Sequence, residues 1–206
     1  MRNLTLLLLA LTLTACTQLA SSALRVVDKR KELVGTEKCQ ISYRYPQIEG
    51  MADSLIQKRF NDFLGSVSRI PQAVIHCEKD SVERYRAKGD YSLSSLSDSL
   101  LSIEITTQYQ QNQKQWVQYH PVTVSLPHLY FRPLEQQFGA EIWAKVDPFL
   151  KRWAEKEEHN YNQEAYHPGT KTVVNYTLGA DSLVLYPGSE GEGVARHRLA
   201  IGLDQL

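Results

Sequence analysis

The chain is poor in the residues that would announce a chemistry. It has three cysteines and two methionines in 206 residues, and no tract of glycines of the kind that cradles a phosphate. Three thiols, at Cys16, Cys39 and Cys77, are too few for a cysteine-built zinc site, and only His76 lies beside one of them, so no metal is expected there. There is no Gly-x-Ser-x-Gly elbow and no His-Glu-x-x-His pair, so the common hydrolase signatures are missing and no cofactor is expected. Charge of either sign is not in excess: 23 Lys and Arg stand against 23 Asp and Glu. That balance argues against nucleic acid as a partner, because binding driven by counterion release needs a clustered basic face. A hydrophobic run long enough to span a bilayer is also missing, since about 18–20 residues are needed and the longest apolar stretch, near the start, is shorter.

That short stretch is the first positive signal. "MRNLTLLLLALTLTAC" sets one basic residue, Arg2, before a run from Leu4 to Leu13 and small residues before Cys16, the layout of an export signal. Its end, Leu13-Thr14-Ala15-Cys16, resembles the lipobox of bacterial lipoproteins, in which the signal is cut before a cysteine that is then acylated. The expectation is a signal peptide over 1–15, a lipidated Cys16 bearing palmitate or a similar chain, and a tether over 16–36. Several acyl chains, each contributing about 0.8 kcal/mol per buried CH₂, would hold the protein stably to a membrane, where one chain would be marginal. Thr17 stands where an inner-membrane retention Asp often lies, which favours the outer membrane, facing the periplasm. Export also puts Cys39 and Cys77 in an oxidising compartment, where an even pair points to a disulfide. Closing a loop of roughly 38 residues would stabilise by about 3–4 kcal/mol on the loop-entropy account.

The rest reads as one domain over 37–206. "KCQISYRYPQI" alternates Cys39, Ile41, Tyr43 and Tyr45 against Gln40, Ser42 and Arg44, a half-buried strand that Pro46 is expected to end or to mark as an edge. A short strand over Leu24–Val27 is conceivable within the tether. From Met51 the period changes: Leu55, Ile56, Phe60, Phe63, Leu64 and Val67 fall at helical spacing. "DYSLSSLSDSLLSIEITTQYQQ" reads as a hairpin, and "QWVQYHPVTVSL" and "LYFRPL" as further strands. "AEIWAKVDPFLKRWAEKEE" predicts an amphipathic helix kinked or restarted at Pro148. The tail predicts two strands about Gly179-Ala180-Asp181, an acidic glycine-rich loop and a closing strand. Strands with two main helices, without βα alternation, argue an α+β fold with a mostly antiparallel sheet.

Candidate chemistry is sparse. His120 and His128, with Asp98 or Glu104, could hold a metal for a hydrolase acting on cell-wall material, although imidazoles beside Pro121 and Pro127 are more often plain loop or edge residues. Trp116, Tyr119, Tyr130 and Phe131 could form an exposed recognition patch on edge strands, although core filling is the commoner role.

Several stretches match one family in order. "ISYRYPQIEG" and the helix "ADSLIQKRFNDFL", then "DYSLSSLSDSLLSIEITTQYQ", "YHPVTVSLPHLYF" and "LVLYPGSEGEGVARHRLAI", together resemble the extracytoplasmic domain of the lysozyme-sensing anti-sigma factor RsiV. Similar domains occur in exported proteins of unknown function and in the non-catalytic part of a cell-wall deacetylase. Where the family often has a Gly-Ala-Ala-His-type turn this chain has Val117-Gln118-Tyr119-His120, so the His120-Pro121 dipeptide matches and the small residues do not. The resemblance implies an α+β domain without catalysis of its own, binding an envelope protein such as a muramidase or a peptidoglycan-derived ligand. Tyr119, His120, Pro121 and Tyr130 are then the candidate binding residues.

Overall fold

The computed structural model describes residues 23–68, 84–126, 129–155, 175–187 and 197–206. They form an α+β fold with two sheets. The large sheet has six strands in the order β1 (Arg25–Gly35), β2 (Cys39–Glu49), β3 (Tyr85–Leu96), β4 (Leu100–Gln111), β5 (Lys114–Ser125) and β6 (Tyr130–Phe131). Neighbours are antiparallel except β2 and β3, which run parallel from Cys39↔Tyr85 to Tyr43↔Gly89. Helix α1 (Ser54–Val67) lies in the crossover between those two strands, so the expected helix belongs to one β-α-β unit, where no such alternation was expected. Two further helices, α2 (Leu134–Phe138) and α3 (Ile142–Ala154), precede the small antiparallel sheet of β7 (Asn175–Leu178), β8 (Ser182–Tyr186) and β9 (Leu199–Gly202).

Residues 25–35, placed within the tether by sequence, form β1 along the whole length of β2. The pattern there is masked by charge: Lys29, Arg30, Lys31 and Glu32 follow one another because an edge strand needs charged side chains to discourage further pairing. Pro46 does not end β2, which runs on to Glu49 opposite β1. A proline lacks only the N–H, and the side of β2 that faces β3 has no ladder beyond Tyr43, so the ring is tolerated. The freed edge is taken up by α1, where Asn61 accepts from the Ile48 N–H at 2.7 Å and donates to its carbonyl at 2.9 Å. Gly50, at φ +90°, makes the turn between strand and helix, and Asp53 caps α1 by accepting from the N–H groups of Leu55 and Ile56.

The hydrophobic core is in two parts. Phe60 and Leu64 of α1 pack on Ile48, Leu101, Ile103, Ile105, Val122 and Val124 of the large sheet. Leu134, Ile142, Val146 and Leu150 of α2 and α3 pack with Tyr176, Leu183, Leu185 and Ile201 of the small sheet. Pro148 sits inside α3 without ending it.

Between the two cores runs a polar seam, because β4 is buried on both faces. Its odd positions meet α1; its even positions meet the small sheet through hydrogen bonds. Ser102 Oγ lies 2.9 Å from Thr123 Oγ1 and accepts from the Leu178 N–H at 2.8 Å, while Thr123 Oγ1 donates to the Tyr176 carbonyl at 2.7 Å. The small sheet thus covers the β4–β5 end of this face. Among the described residues the β1–β3 end stays open.

Candidate functional site

Cross-strand register sets the open part of the face. Arg30 is opposite Arg44, Glu32 opposite Ser42, and Ser42 beside Lys88, with Asp90 next to Arg44 one residue beyond the last β2–β3 pair. These six residues line a groove of about 610 Å³, within the range that small-molecule sites occupy. Sequence alternation puts them there: with inward Ile41 and Tyr43 buried, Ser42 and Arg44 must face out.

One wall of the groove is rigid. Arg44 donates from Nε to Asp90 Oδ1 at 2.6 Å, from Nη1 to Asp28 Oδ2 at 3.3 Å and from Nη2 to the Tyr91 carbonyl at 3.0 Å. Its guanidinium lies 4.8 Å over the Tyr91 ring, and the Tyr91 hydroxyl donates to Asp28 Oδ1. That hydroxyl, with the Arg44 charge, holds the Asp28 carboxyl below its ordinary range. Burial first, and then the bond to Asp28, push the Tyr91 phenol up to about 12. The cluster keeps the split between β2 and β3 polar and fixed.

Further along the same face, under the edge of the small sheet, stands Glu104. It is 7 % exposed and accepts from the Tyr186 hydroxyl at 2.5 Å and from Arg198 Nη1 at 3.0 and 3.1 Å. Thr106 Oγ1 donates to it as well, at 3.3 Å. The Tyr186 oxygen is also 3.1 Å from Thr177 Oγ1. Burial, then the bond to Glu104, drive the Tyr186 phenol far above its ordinary pKa, so it stays a donor. Arg198 closes the cluster on the solvent side, its guanidinium 5.3 Å over the Tyr119 ring. A buried carboxylate must be paired and hydrogen-bonded; this arrangement satisfies Glu104 by joining β4 to β8 and to the residue before β9, which locks the two sheets together.

The residues singled out by sequence do not converge. Tyr119 lies opposite Thr106 and Pro121 opposite Glu104, on the groove face. His120 is opposite Ile105 and therefore on the other face, toward α1. Tyr130 sits on the two-residue edge strand β6, 46 % exposed, beside Phe131 at 60 %. His128 lies outside the described residues. The metal set fails on strand parity: His120 and Glu104 are on opposite faces of one sheet, and Asp98 is in the exposed β3–β4 turn. Among the described residues no group of three or more metal-ligating side chains forms. Cys39 is buried at the start of β2 and disulfide-bonded; Cys16 and Cys77 lie outside the described residues. Sequence reading missed Arg30, Lys88, Asp28, Asp90 and Arg198 altogether. The one signal available was Glu104, a lone acid inside the run Leu100–Ile105.

With this geometry in view, the fold can be compared. The chain superposes on the crystal structure of a DUF3298 family member from Bacteroides fragilis with a TM-score of 0.54, at 9 % identity, over 89 % of this chain and 91 % of that one. In fold, the chain is similar to DUF3298 proteins. A DUF3298 protein from Pseudomonas aeruginosa matches over the same shares at 14 % identity, with a TM-score of 0.49. No family model matches the sequence, and no curated protein matches it. At such identities the likeness concerns the fold alone.

Proposed function

We propose that this chain is a lipid-anchored, non-catalytic binding module of the bacterial cell envelope, related to the extracytoplasmic domain of RsiV. Cys16 would carry the lipid after removal of residues 1–15, and the body would face the periplasm from the outer membrane. Residues 17–24 would link the lipid to β1, the first strand of the sheet. The partner is an envelope protein such as a muramidase or a peptidoglycan-derived ligand. The observation that carries the reading is the open groove across β1, β2 and β3. Its outward face is polar and concave, and its central cation is fixed by three hydrogen bonds before any ligand arrives. Preorganisation of that kind reduces the ordering cost of binding. The test is direct binding: the full-length protein isolated from membranes, titrated with a purified muramidase and, separately, with soluble muropeptides. Saturable binding of either supports the module; binding of neither refutes it.

A further inference from the structure

The charges of the groove are arranged in a way that folding alone does not favour. Arg30 and Arg44 stand directly opposite each other across the antiparallel β1–β2 pair, a placement of like charges that is destabilising unless something neutralises it. Asp28 and Asp90 pair with Arg44, and Asp28, two residues along β1, also feels the charge of Arg30 and offsets part of it. Neither Arg30 nor Lys88 has an ion-pair partner among the described residues, and both are exposed. Arg44 itself is not exhausted. A guanidinium has five N–H donors, and one is engaged on each of Nε, Nη1 and Nη2. One donor on each terminal nitrogen remains for the oxygens of a ligand.

The acids of the groove decide what kind of anion fits. Four cations, Arg30, Lys31, Arg44 and Lys88, line the groove with the acids Glu32 and Asp90, and Asp28 stands beside Arg44, so the surface is basic in balance yet carries both signs. Glu32 lies one row along from Arg30, at about 7 Å by strand rise. Its carboxylate folds toward Gly35, where a Cβ would overlap it. A ligand with a carboxylate at the Arg30–Arg44 row and an amine or amide one row away, near Glu32 and Ser42, matches this order of charges.

We infer that the groove over β1–β3 binds the carboxylate of a peptidoglycan-derived peptide, received by Arg44 with Arg30 and Lys88, while Glu32 and Ser42 take its nitrogen-bearing end. The inference rests on the binding-module reading and narrows it to one ligand class and one surface. Arg44 is the orienting group because the fold fixes its plane; Arg30 and Lys88 add charge from either side.

The experiment is a calorimetric titration of the full-length protein isolated from membranes. The probes are a disaccharide-tripeptide muropeptide, the same muropeptide with its carboxylates amidated, and inorganic phosphate. The free acid is expected to bind saturably, and the amidated form at least tenfold more weakly, the size of one charge-assisted hydrogen bond. Arg30→Ala and Lys88→Ala are each expected to weaken binding about tenfold without lowering the unfolding midpoint, because both side chains are exposed. Arg44→Lys keeps the charge and loses the planar guanidinium with its remaining donors, and is expected to weaken the acid more than the amide. Equal affinity for acid and amide overturns the inference, as does binding of phosphate without binding of muropeptide. Muropeptide binding that survives the Arg30→Ala/Lys88→Ala double variant also overturns it, yet leaves the module standing. A wild-type protein that binds neither muropeptide nor muramidase fails the module reading itself, and the groove assignment with it.

Discussion

Two buried tyrosines provide a matched pair for testing what holds the sheets together. Tyr186 is fully buried in β8, and its hydroxyl donates to the Glu104 carboxylate at 2.5 Å and contacts Thr177 Oγ1 at 3.1 Å. Tyr176, in β7, is 4 % exposed, and its hydroxyl has no hydrogen-bond partner among the described residues. Replacing either by Phe keeps the ring and its packing and removes one oxygen. For Tyr186→Phe the loss includes a hydrogen bond to a charged group, worth about 1.5–3 kcal/mol. It also deprives a buried carboxylate of a donor, which places the expected destabilisation near 2–3 kcal/mol. For Tyr176→Phe a buried hydroxyl without a partner is replaced by a carbon–hydrogen edge, so the change should lie within about 0.5 kcal/mol of zero or be stabilising. Urea unfolding followed by tryptophan fluorescence measures both. With an m-value of about 2 kcal/mol/M, the first variant should shift its midpoint down by about 1–1.5 M, and the second should shift it by less than about 0.3 M. Equal midpoints for the two variants would show that the Glu104 cluster does not secure the seam.

Other expectations follow from the same geometry. Tyr43, 5 % exposed in β2, should cost about 3 kcal/mol or more as Tyr43→Ala. Arg44→Ala should cost about 1 kcal/mol, because its ion pairs are 34 % exposed on the Arg44 side and partly screened; denaturant midpoints of the two variants check the order. Cys16→Ser should move the protein from the membrane pellet to the soluble or uncleaved fraction, and a wild-type mature mass without acyl groups would refute lipidation. The double Cys39→Ala/Cys77→Ala variant should lose about 3–4 kcal/mol at most, and two thiols open to alkylation in the oxidised protein would exclude the pair. In alkaline titration, Tyr91 and Tyr176 should ionise only near 12, burial being the main cause for each. Their folded-state values lie above the unfolded value, so the stability they contribute is complete below about pH 10 and declines as pH rises toward 12. Phenolate absorbance that rises fully by pH 10–11 while the fold persists would contradict this.

How much of this was legible differs from element to element. Helix α1 was plain because its apolar period is long. The β3–β4 hairpin and the strands about Gly179 were plain for the same local reason, alternation bounded by turn residues. β1 was obscured because an exposed edge strand has charge where pattern reading looks for apolar residues. The parallel β2–β3 pair could not be read, since local pattern is the same whether a strand's neighbour runs with it or against it. Tyr45 shows the limit of parity: it shares a strand face with Tyr43, yet it is only half-buried, lying against Gly65 where the sheet has split from β3.

The candidate site was less legible still. Arg44 read only as a residue of the alternate strand face, and alternation placed it correctly, but Asp90 is 46 residues away and Asp28 16 residues away. Glu104 and Arg198 are 94 residues apart, and Tyr186 is 82 from Glu104. By itself the sequence determined where chain reversals fall and, β1 and the end of β2 excepted, which face of a strand is apolar, because those depend on spacing and on local steric preference. Only the tertiary structure decided that the polar face of β4 would be sealed by a second sheet while, among the described residues, the polar face of β1–β3 stayed open. Strand order and sheet-on-sheet packing are set by contacts between segments far apart in the chain, and no local period records them.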